Sequence, residues 1–316
     1  MAQTLESPSR SGSWLARYAK LDQSAPRPPR VSFEFFPPSS LAMEESLWQS
    51  IEHLAPLAPE FISVTYGAGG STRERTHATV KRILTETPLS AAAHLTCVDA
   101  SRDDIERILD DYAAVGVRHI VALRGDLPVN AGQIEQRADG FAHAGELAAA
   151  IAKRGQFAVS VACYPEVHPQ ARSAKADLDH LKRKIDAGAS RAISQFFFDP
   201  NIFVAFVDRA RAAGIDVPIV PGILPITNFK RALDFAARCG TSVPASVRRI
   251  FEGLDETPEV RQLVSATMAA ELCRELLANG VEDFHFYTLN RARLTQSICH
   301  LLGVRARPYA AGEQPA

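Results

Sequence analysis

A carboxylate set inside an aromatic strand is the first place where this sequence could do chemistry. In the run VSFEFFPP, Val31 to Pro38, the residues Val31, Phe33, Phe35 and Phe36 read as a buried strand that Glu34 interrupts and Pro37-Pro38 ends. Desolvation among aromatics would raise the pKa of Glu34 and make it a proton donor near neutral pH; on the other reading it is an outward Glu on alternate pleats. Further along, GAGGST at Gly67 to Thr72 could cradle a phosphate or be an ordinary turn. His94 lacks a second His or Cys at ligand spacing, so it reads as a hydrogen-bonding or core histidine rather than a metal ligand. Asp126, in RGD, is a candidate acceptor on a rim; His168 sits in the rigid loop YPEVHP. The basic run Lys182 to Lys184 reads as a solvated helix face with one member near that rim, and Phe196 to Phe198 read as core.

The elements that must position these residues alternate regularly. Candidate strands are VSFEFF (31–36), FISVTY (61–66), AAAHLT (91–96), RHIVAL (118–123), FAVSVAC (157–163), RAISQFFF (191–198), VPIVPGIL (217–224) and DFHFYT (283–288). Helical periods fall at 42–55, 73–86, 102–115, 139–154, 175–188, 201–213, 227–239 and 290–302. The clearest helix is 258–279, with Thr257 as N-cap, Pro258 in the first turn, Val260, Val264, Met268, Leu272 and Leu276 as its apolar row, and Gly280 as its stop. Eight strands alternating with helices predict an α/β fold, a (β/α)₈ TIM barrel with extra helices between strands seven and eight. A doubly wound sheet is disfavoured because no G-x-G-x-x-G follows the first strand. In the barrel, the C-terminal strand ends collect Glu34, Thr65, Tyr66, His94, Thr96, Arg124, Gly125, Asp126, Tyr164, Glu166, His168, Gln195, Thr288, Asn290 and Arg291 on one rim. The opposite connections carry no comparable cluster. That asymmetry predicts an enzyme.

Composition bounds the partners. The chain has 316 residues, 46% hydrophobic, with 35 Lys+Arg against 36 Asp+Glu; this near-neutral balance gives no support for nucleic-acid or membrane binding. No run approaches a membrane span, the N-terminus lacks a signal-peptide core, and five scattered cysteines (97, 163, 239, 273, 299) form no C-x-x-C pair, which together predict a cytosolic protein without metal. Residues 1–30 read as a flexible arm, 31–306 as one catalytic domain and 307–316 as a flexible tail.

The ordered strings VSFEFFPP, SVTYGAGGSTRERTH, HLTC, RHIVALRGDLP, YPEVHP, LKRKIDAGA, QFFFD, PGILPITNFK and DFHFYTLNRA span Val31 to Val304 and closely resemble the 5,10-methylenetetrahydrofolate reductase family. The resemblance implies a barrel that binds FAD non-covalently. It implies reduction of 5,10-methylenetetrahydrofolate to 5-methyltetrahydrofolate with NADH or NADPH, by a ping-pong route and in a homo-oligomer. It makes Glu34 the general acid that opens the folate's bridging ring, and Asp126 a contact to both folate and flavin that tunes the hydride donor. Thr65, His94, Arg124, Gly125, Asp126, Tyr164, His168, Ala171, Asp177, His180 and Lys184 match FAD-contacting positions, with Lys184 suited to the pyrophosphate and Asp177 to adenosine hydroxyls. Gln195, Phe235, Arg291 and Arg231 match substrate positions. The chain departs from the family pattern at His180, where relatives carry an amide, and at Arg231, where they carry Gln. The competing readings are a phosphate-binding aldolase or lyase, which lacks a lysine at a strand end, and a catalytically silent folate or flavin binder.

Overall fold

The computed structural model describes residues 27–67, 72–125 and 137–307. One parallel sheet runs through them: β1 (Arg30–Phe35), β2 (Ile62–Val64), β3 (Ala91–Thr96), β4 (His119–Leu123), β5 (Ala158–Cys163), β6 (Arg191–Ser194), β7 (Ile219–Val220), β8 (Gly222–Ile223) and β9 (Asp283–Tyr287). The order is β7-β6-β5-β4-β3-β2-β1-β9-β8, so the two edge strands are consecutive in sequence and separated by one residue, Pro221. The sheet is therefore a barrel closed by a single broken strand. This is the predicted seventh strand, split because proline has no N–H to give the ladder. Pro221 still accepts from His285 N–H at 3.0 Å.

Helices wrap the outside: α1 (Leu41–Leu54), α2 (Arg73–Glu86), α3 (Arg102–Ala114), α4 (Ala144–Lys153), α5 (Ala174–Asp186), α6 (Pro200–Ala212), α7 (Phe229–Cys239), α8 (Ala245–Phe251), α9 (Pro258–Ala278) and α10 (Ala292–Leu301). Their starts are written locally. Ser40, Ser101, Ser173, Asp199 and Asn228 each accept a backbone N–H of the first turn through the side chain, Ser101 within a capping box closed by Asp104. The extra helices α8 and α9 precede the last strand, as the sequence predicts.

Strand alternation then sorts the first motif. Val31, Phe33 and Phe35 are buried against the helix layer, beside Leu47 and Ile51 of α1. Ser32 and Glu34 take the other face, which in a closed barrel is the lumen. Their register partners are Ser63 on one side and His285 and Tyr287 on the other. Lower in the lumen, the Phe61 ring lies edge-on to His119 (4.5 Å between centroids) and stacks on His285 (5.8 Å), with the Arg191 guanidinium over it at 5.2 Å. His119 Nε2 meets Ser160 Oγ at 2.7 Å, and burial pushes its pKa down to about 3.

Several expectations need correction. Phe36 is 41% exposed, because the strand ends before it. Arg30, assigned to the flexible arm, opens β1 and makes a bidentate pair with Asp283 (2.6 and 2.7 Å). The run RAISQFFF stops being strand after Ser194, and the helix predicted over 139–154 begins only at Ala144. On α9 the predicted row is only partly the buried face: Val260 is 46% exposed and Val264, Met268 and Leu272 are half-buried, whereas Leu276 at its end is buried along with Ser265, Ala266, Ala269, Ala270 and Cys273. A strict four-residue spacing advances about 40° per step around a 3.6-residue helix, so Val260 and Leu276 stand on different sides. Small residues take the tight side. The stop at Gly280 is as expected, with φ +83°.

The closure point has no spare room. A Cβ on Gly222 would lie 2.2 Å from Ser194 O and 2.6 Å from the Tyr287 ring. Gly222→Ala is expected to lower stability by roughly 1–3 kcal/mol, the usual range for overpacking; a urea denaturation curve indistinguishable from the parent's would refute this.

Candidate active site

Three titratable side chains converge where the lumen opens. Glu34 is the penultimate residue of β1, His94 sits in the upper half of β3, and His285 stands at the middle of β9. His94 Nε2 lies 3.4 Å and His285 Nε2 3.5 Å from the same oxygen, Glu34 Oε2. The histidine side chains are 7% and 0% exposed, whereas Glu34 keeps 14%, so the carboxyl is the member that faces the mouth. His285 is oriented from behind: its Nδ1 shares a 2.7 Å hydrogen bond with Ser32 Oγ.

These neighbours change the expected electrostatics. Burial does push the Glu34 carboxyl up, but the nearby imidazoles of His285 and His94 pull it down, and the balance lies below the ordinary carboxylate value. The aromatics that flank Glu34 in sequence are on the other face of the sheet and leave the lumen to imidazoles. His94 is itself held below the ordinary imidazole value, by desolvation first, with Glu34 opposing.

The backbone of Glu34 is fixed as firmly as its side chain. Its carbonyl accepts from Thr288 N–H (3.2 Å) and Thr288 Oγ1 (2.6 Å), just past β9. On the same side of the mouth, Tyr287 donates from its hydroxyl to Ser194 O at 2.7 Å, spanning the closure between β9 and β6. Phe196, Phe235, Leu224, Leu289 and Tyr287 cluster into an apolar wall there, with the Phe196 and Phe235 rings 5.1 Å apart. Gln195 stands beside the wall. Its Oε1 accepts from Phe196 N–H at 3.0 Å, which directs the amide NH₂ elsewhere as a donor. Phe197, by contrast, is core, stacked on Phe203.

On the opposite side lie the positions matched to a flavin. Gly125 has φ +90°, and a Cβ there would lie 2.7 Å from Val98 and 2.8 Å from Thr96, so this turn presses backbone against the end of β3. Arg124 donates to Gln170 Oε1 at 2.7 Å. In the loop after β5, Tyr164 and His168 meet edge-to-face at 4.6 Å, Ala171 N–H donates to His168 O, and Asp177 of α5 accepts from His168 N–H at 2.9 Å. Asp177 therefore commits one oxygen to the loop. Lys184 reaches back from α5 to donate to Ala162 O, and desolvation lowers its pKa. His180 is exposed and meets His143 edge-on at 6.1 Å. Arg231 sits exposed in the first turn of α7, and Arg291 precedes α10 at the exposed rim beside Asn290. Asp126 lies outside the described residues, as do positions 68–71 of GAGGST; the two described ends of that motif bond each other, Gly67 N–H to Thr72 Oγ1 at 2.6 Å.

The donor set fits an elongated anionic and aromatic cofactor. His94 Nε2 and Thr96 Oγ1 are buried at the lip of β3 without a hydrogen-bond partner among the described residues. Lys184 supplies a half-buried cation a helix away. Sequence reading missed Ser32, His285 and Tyr287; the alternation within VSFEFF and DFHFYT was the signal that could have found them. Among the described residues no group of three or more His, Cys, Asp and Glu is arranged to hold a metal ion, and no helix is long and apolar enough to cross a membrane.

Comparison with known proteins points one way. A family model described as methylenetetrahydrofolate reductase matches residues 20–303. The 5,10-methylenetetrahydrofolate reductases of Pectobacterium carotovorum and Escherichia coli K12 are 54% and 52% identical over 275 residues, 87% of this chain and 90% and 91% of theirs. An Arabidopsis thaliana methylenetetrahydrofolate reductase (NADH) is 36% identical across 86% of this chain, which spans 48% of that longer protein. Among solved structures, a Clostridium thermocellum protein described as binding two copies of 5-methyl-5,6,7,8-tetrahydrofolic acid shares the fold at a TM-score of 0.60 and 14% identity, covering 91% of this chain and 97% of its own.

The carboxylate raises the His94 pKa by favouring the imidazolium. Glu34→Gln is therefore expected to move that pKa further down. His94 is already depressed in the folded chain, so its effect on stability is a loss as pH falls through the ordinary histidine value, and the variant should deepen that loss. An NMR titration of the His94 ring that shows an unchanged or higher midpoint would contradict the assignment.

Proposed function

Because this chain belongs to the methylenetetrahydrofolate reductase family, we propose that the barrel mouth reduces 5,10-methylenetetrahydrofolate to 5-methyltetrahydrofolate with FAD as cofactor and NADH or NADPH as donor. The observation that carries this reading is a carboxyl facing the mouth, with two imidazole Nε2 atoms at 3.4 and 3.5 Å behind it. Bound FAD would accept a hydride from the nicotinamide and supply it to the folate's one-carbon unit, in two half-reactions that use the site in turn.

The chain's own residues bind, orient and move protons. Glu34 gives a proton to the bridging nitrogen of the folate, whose ring opens to an iminium carbon that is ready for hydride. The carboxylate left behind is stabilised by His94 and by His285, which Ser32 holds in orientation. In the free protein the carboxyl is held below its ordinary value, so it must take up a proton before this step, and a substrate seated over the mouth favours that by desolvating it further. The apolar wall of Phe196, Phe235, Tyr287 and Leu289 excludes water from the face where the planar rings lie, and the Gln195 amide donates to a ring acceptor. Arg291 offers a cation at the rim for the substrate's acidic end. On the other side Thr65, His94, Arg124, Gly125, Tyr164, His168, Ala171, Asp177, His180 and Lys184 would hold the cofactor, Lys184 neutralising its pyrophosphate. Asp126 would place a negative charge near the flavin.

One cuvette tests the reading. The purified protein should carry a flavin absorption band that bleaches with anaerobic NADH and returns on adding methylenetetrahydrofolate; a colourless protein that cannot be reconstituted with FAD would overturn it. Glu34→Gln should leave the bleaching step largely intact and slow the return by roughly 10²-fold or more, the ordinary contribution of general acid catalysis. Equal damage to both half-reactions in stopped-flow traces would remove the acid role. Asp126→Asn should raise the flavin's reduction potential because a nearby negative charge is lost; a spectroelectrochemical titration giving the same or a lower value would count against the assignment.

A further inference from the structure

The short segment between β9 and α10 is held in a conformation that Leu289 does not favour. Leu289 and Asn290 are consecutive non-glycine residues with φ of +52° and +56°, in the left-handed region. Strain of this kind persists only where surrounding contacts impose it, and it concentrates at functional sites. The contacts are specific. The Asn290 side chain accepts from Phe36 N–H at 2.8 Å through Oδ1 and donates to Phe36 O at 3.0 Å through Nδ2. Its own N–H donates to Thr288 Oγ1 (3.1 Å), and its carbonyl accepts from Ser50 Oγ (2.9 Å).

The amide thus stands in for a peptide group. The ladder between β1 and β9 has its last pair at Glu34 and Tyr287. Beyond it the strands diverge into different loops, and Asn290 extends the pairing to Phe36 through its side chain. One end of this bridge is two residues past Glu34; the other is the residue before Arg291. The same hydroxyl that receives the Asn290 N–H, Thr288 Oγ1, donates to Glu34 O.

We propose that Asn290 is a positioning residue that fixes the substrate-contacting Arg291 relative to the acid Glu34, through its paired hydrogen bonds to the backbone of Phe36. The assignment rests on the reductase reading for what Arg291 and Glu34 do. Its consequence is selective. The folate must reach the carboxyl and the rim cation together, whereas hydride transfer from the nicotinamide needs neither. A misplaced Arg291 therefore weakens the folate step and leaves flavin reduction alone. Asparagine suits the position because it tolerates left-handed backbone and carries both a donor and an acceptor.

Two variants of the holoprotein test this. Asn290→Gly keeps the backbone conformation without strain and deletes the bridge. Asn290→Asp keeps shape and the bond from Phe36 N–H, but turns its second oxygen against Phe36 O. Both are expected to raise the KM for methylenetetrahydrofolate and lower kcat/KM by roughly 10- to 100-fold, the scale of a small misplacement of bound groups. Flavin reduction by NADH should stay within twofold, and the calorimetric Kd for tetrahydrofolate should rise in step with KM. Folate kinetics like the parent's in both variants would overturn the proposal. So would parallel loss of both half-reactions, which marks a general structural role. If NADH fails to bleach the parent's flavin, the reductase reading fails instead, and the tetrahydrofolate Kd of each variant against the parent still decides whether Asn290 positions the ligand contacts.

Discussion

A closed parallel barrel has only two faces, and every strand residue must choose between them. This constraint governs everything else in the molecule. Val31, Phe33 and Phe35 go to the helix layer, so Ser32 and Glu34 go to the lumen, and no local adjustment could reverse that without inverting the whole strand. The same rule on β3 and β9 sends His94 and His285 inward. Their meeting with Glu34 follows from register: His285 pairs with Ser32, and Tyr287 with Glu34. The barrel closes where strand seven breaks at Pro221, and Gly222 is the residue with no side chain to obstruct the approach of Ser194 and Tyr287.

The lumen so formed is unusually rich in protonatable groups for a core. Burying a charge is costly unless a partner compensates it. Here the compensation is mutual: the imidazoles favour the carboxylate, the carboxylate favours an imidazolium at His94, and desolvation opposes both. His119, lower in the lumen and without a carboxylate, shows the contrast: burial drives it down to about 3 and it remains neutral. What the barrel builds at its mouth is a carboxyl with two imidazoles beneath it.

Around the mouth, the two sides differ in material. One is apolar and aromatic, built from Phe196, Phe235, Leu224 and Leu289; the other is made of turns, backbone groups and cations, from Gly125 and Arg124 to Lys184. The left-handed pair Leu289-Asn290 joins the aromatic side to β1. Some outer helices also send side chains back to the strand ends: α5 sends Lys184 and Asp177, α2 sends Thr76 to Thr65 O, and α1 sends Ser50 to Asn290 O.

Much of this was written along the chain. The alternation of β-rich and helical runs, the caps at Ser40, Ser101 and Asn228, the polar strand ends and the motif strings all depend on residues close in sequence, and so they set the barrel, the rim and the family. What tertiary structure decided depends on residues far apart. The sequence sets Glu34 among phenylalanines and so predicts a raised pKa; the sheet puts those rings on its other face and supplies His94 and His285, distant in the chain, which pull it down. Likewise α9 buries mainly its small residues, Ser265, Ala266, Ala269 and Ala270, where its neighbours leave little room, and fully buries only the far end of the row of large ones, Leu276. The pairing of Asn290 with Phe36 spans 254 residues. Local sequence sets periodicity and capping because those are short-range energies, while the identity of each buried neighbour is set by register and closure, which exist only once the barrel has formed.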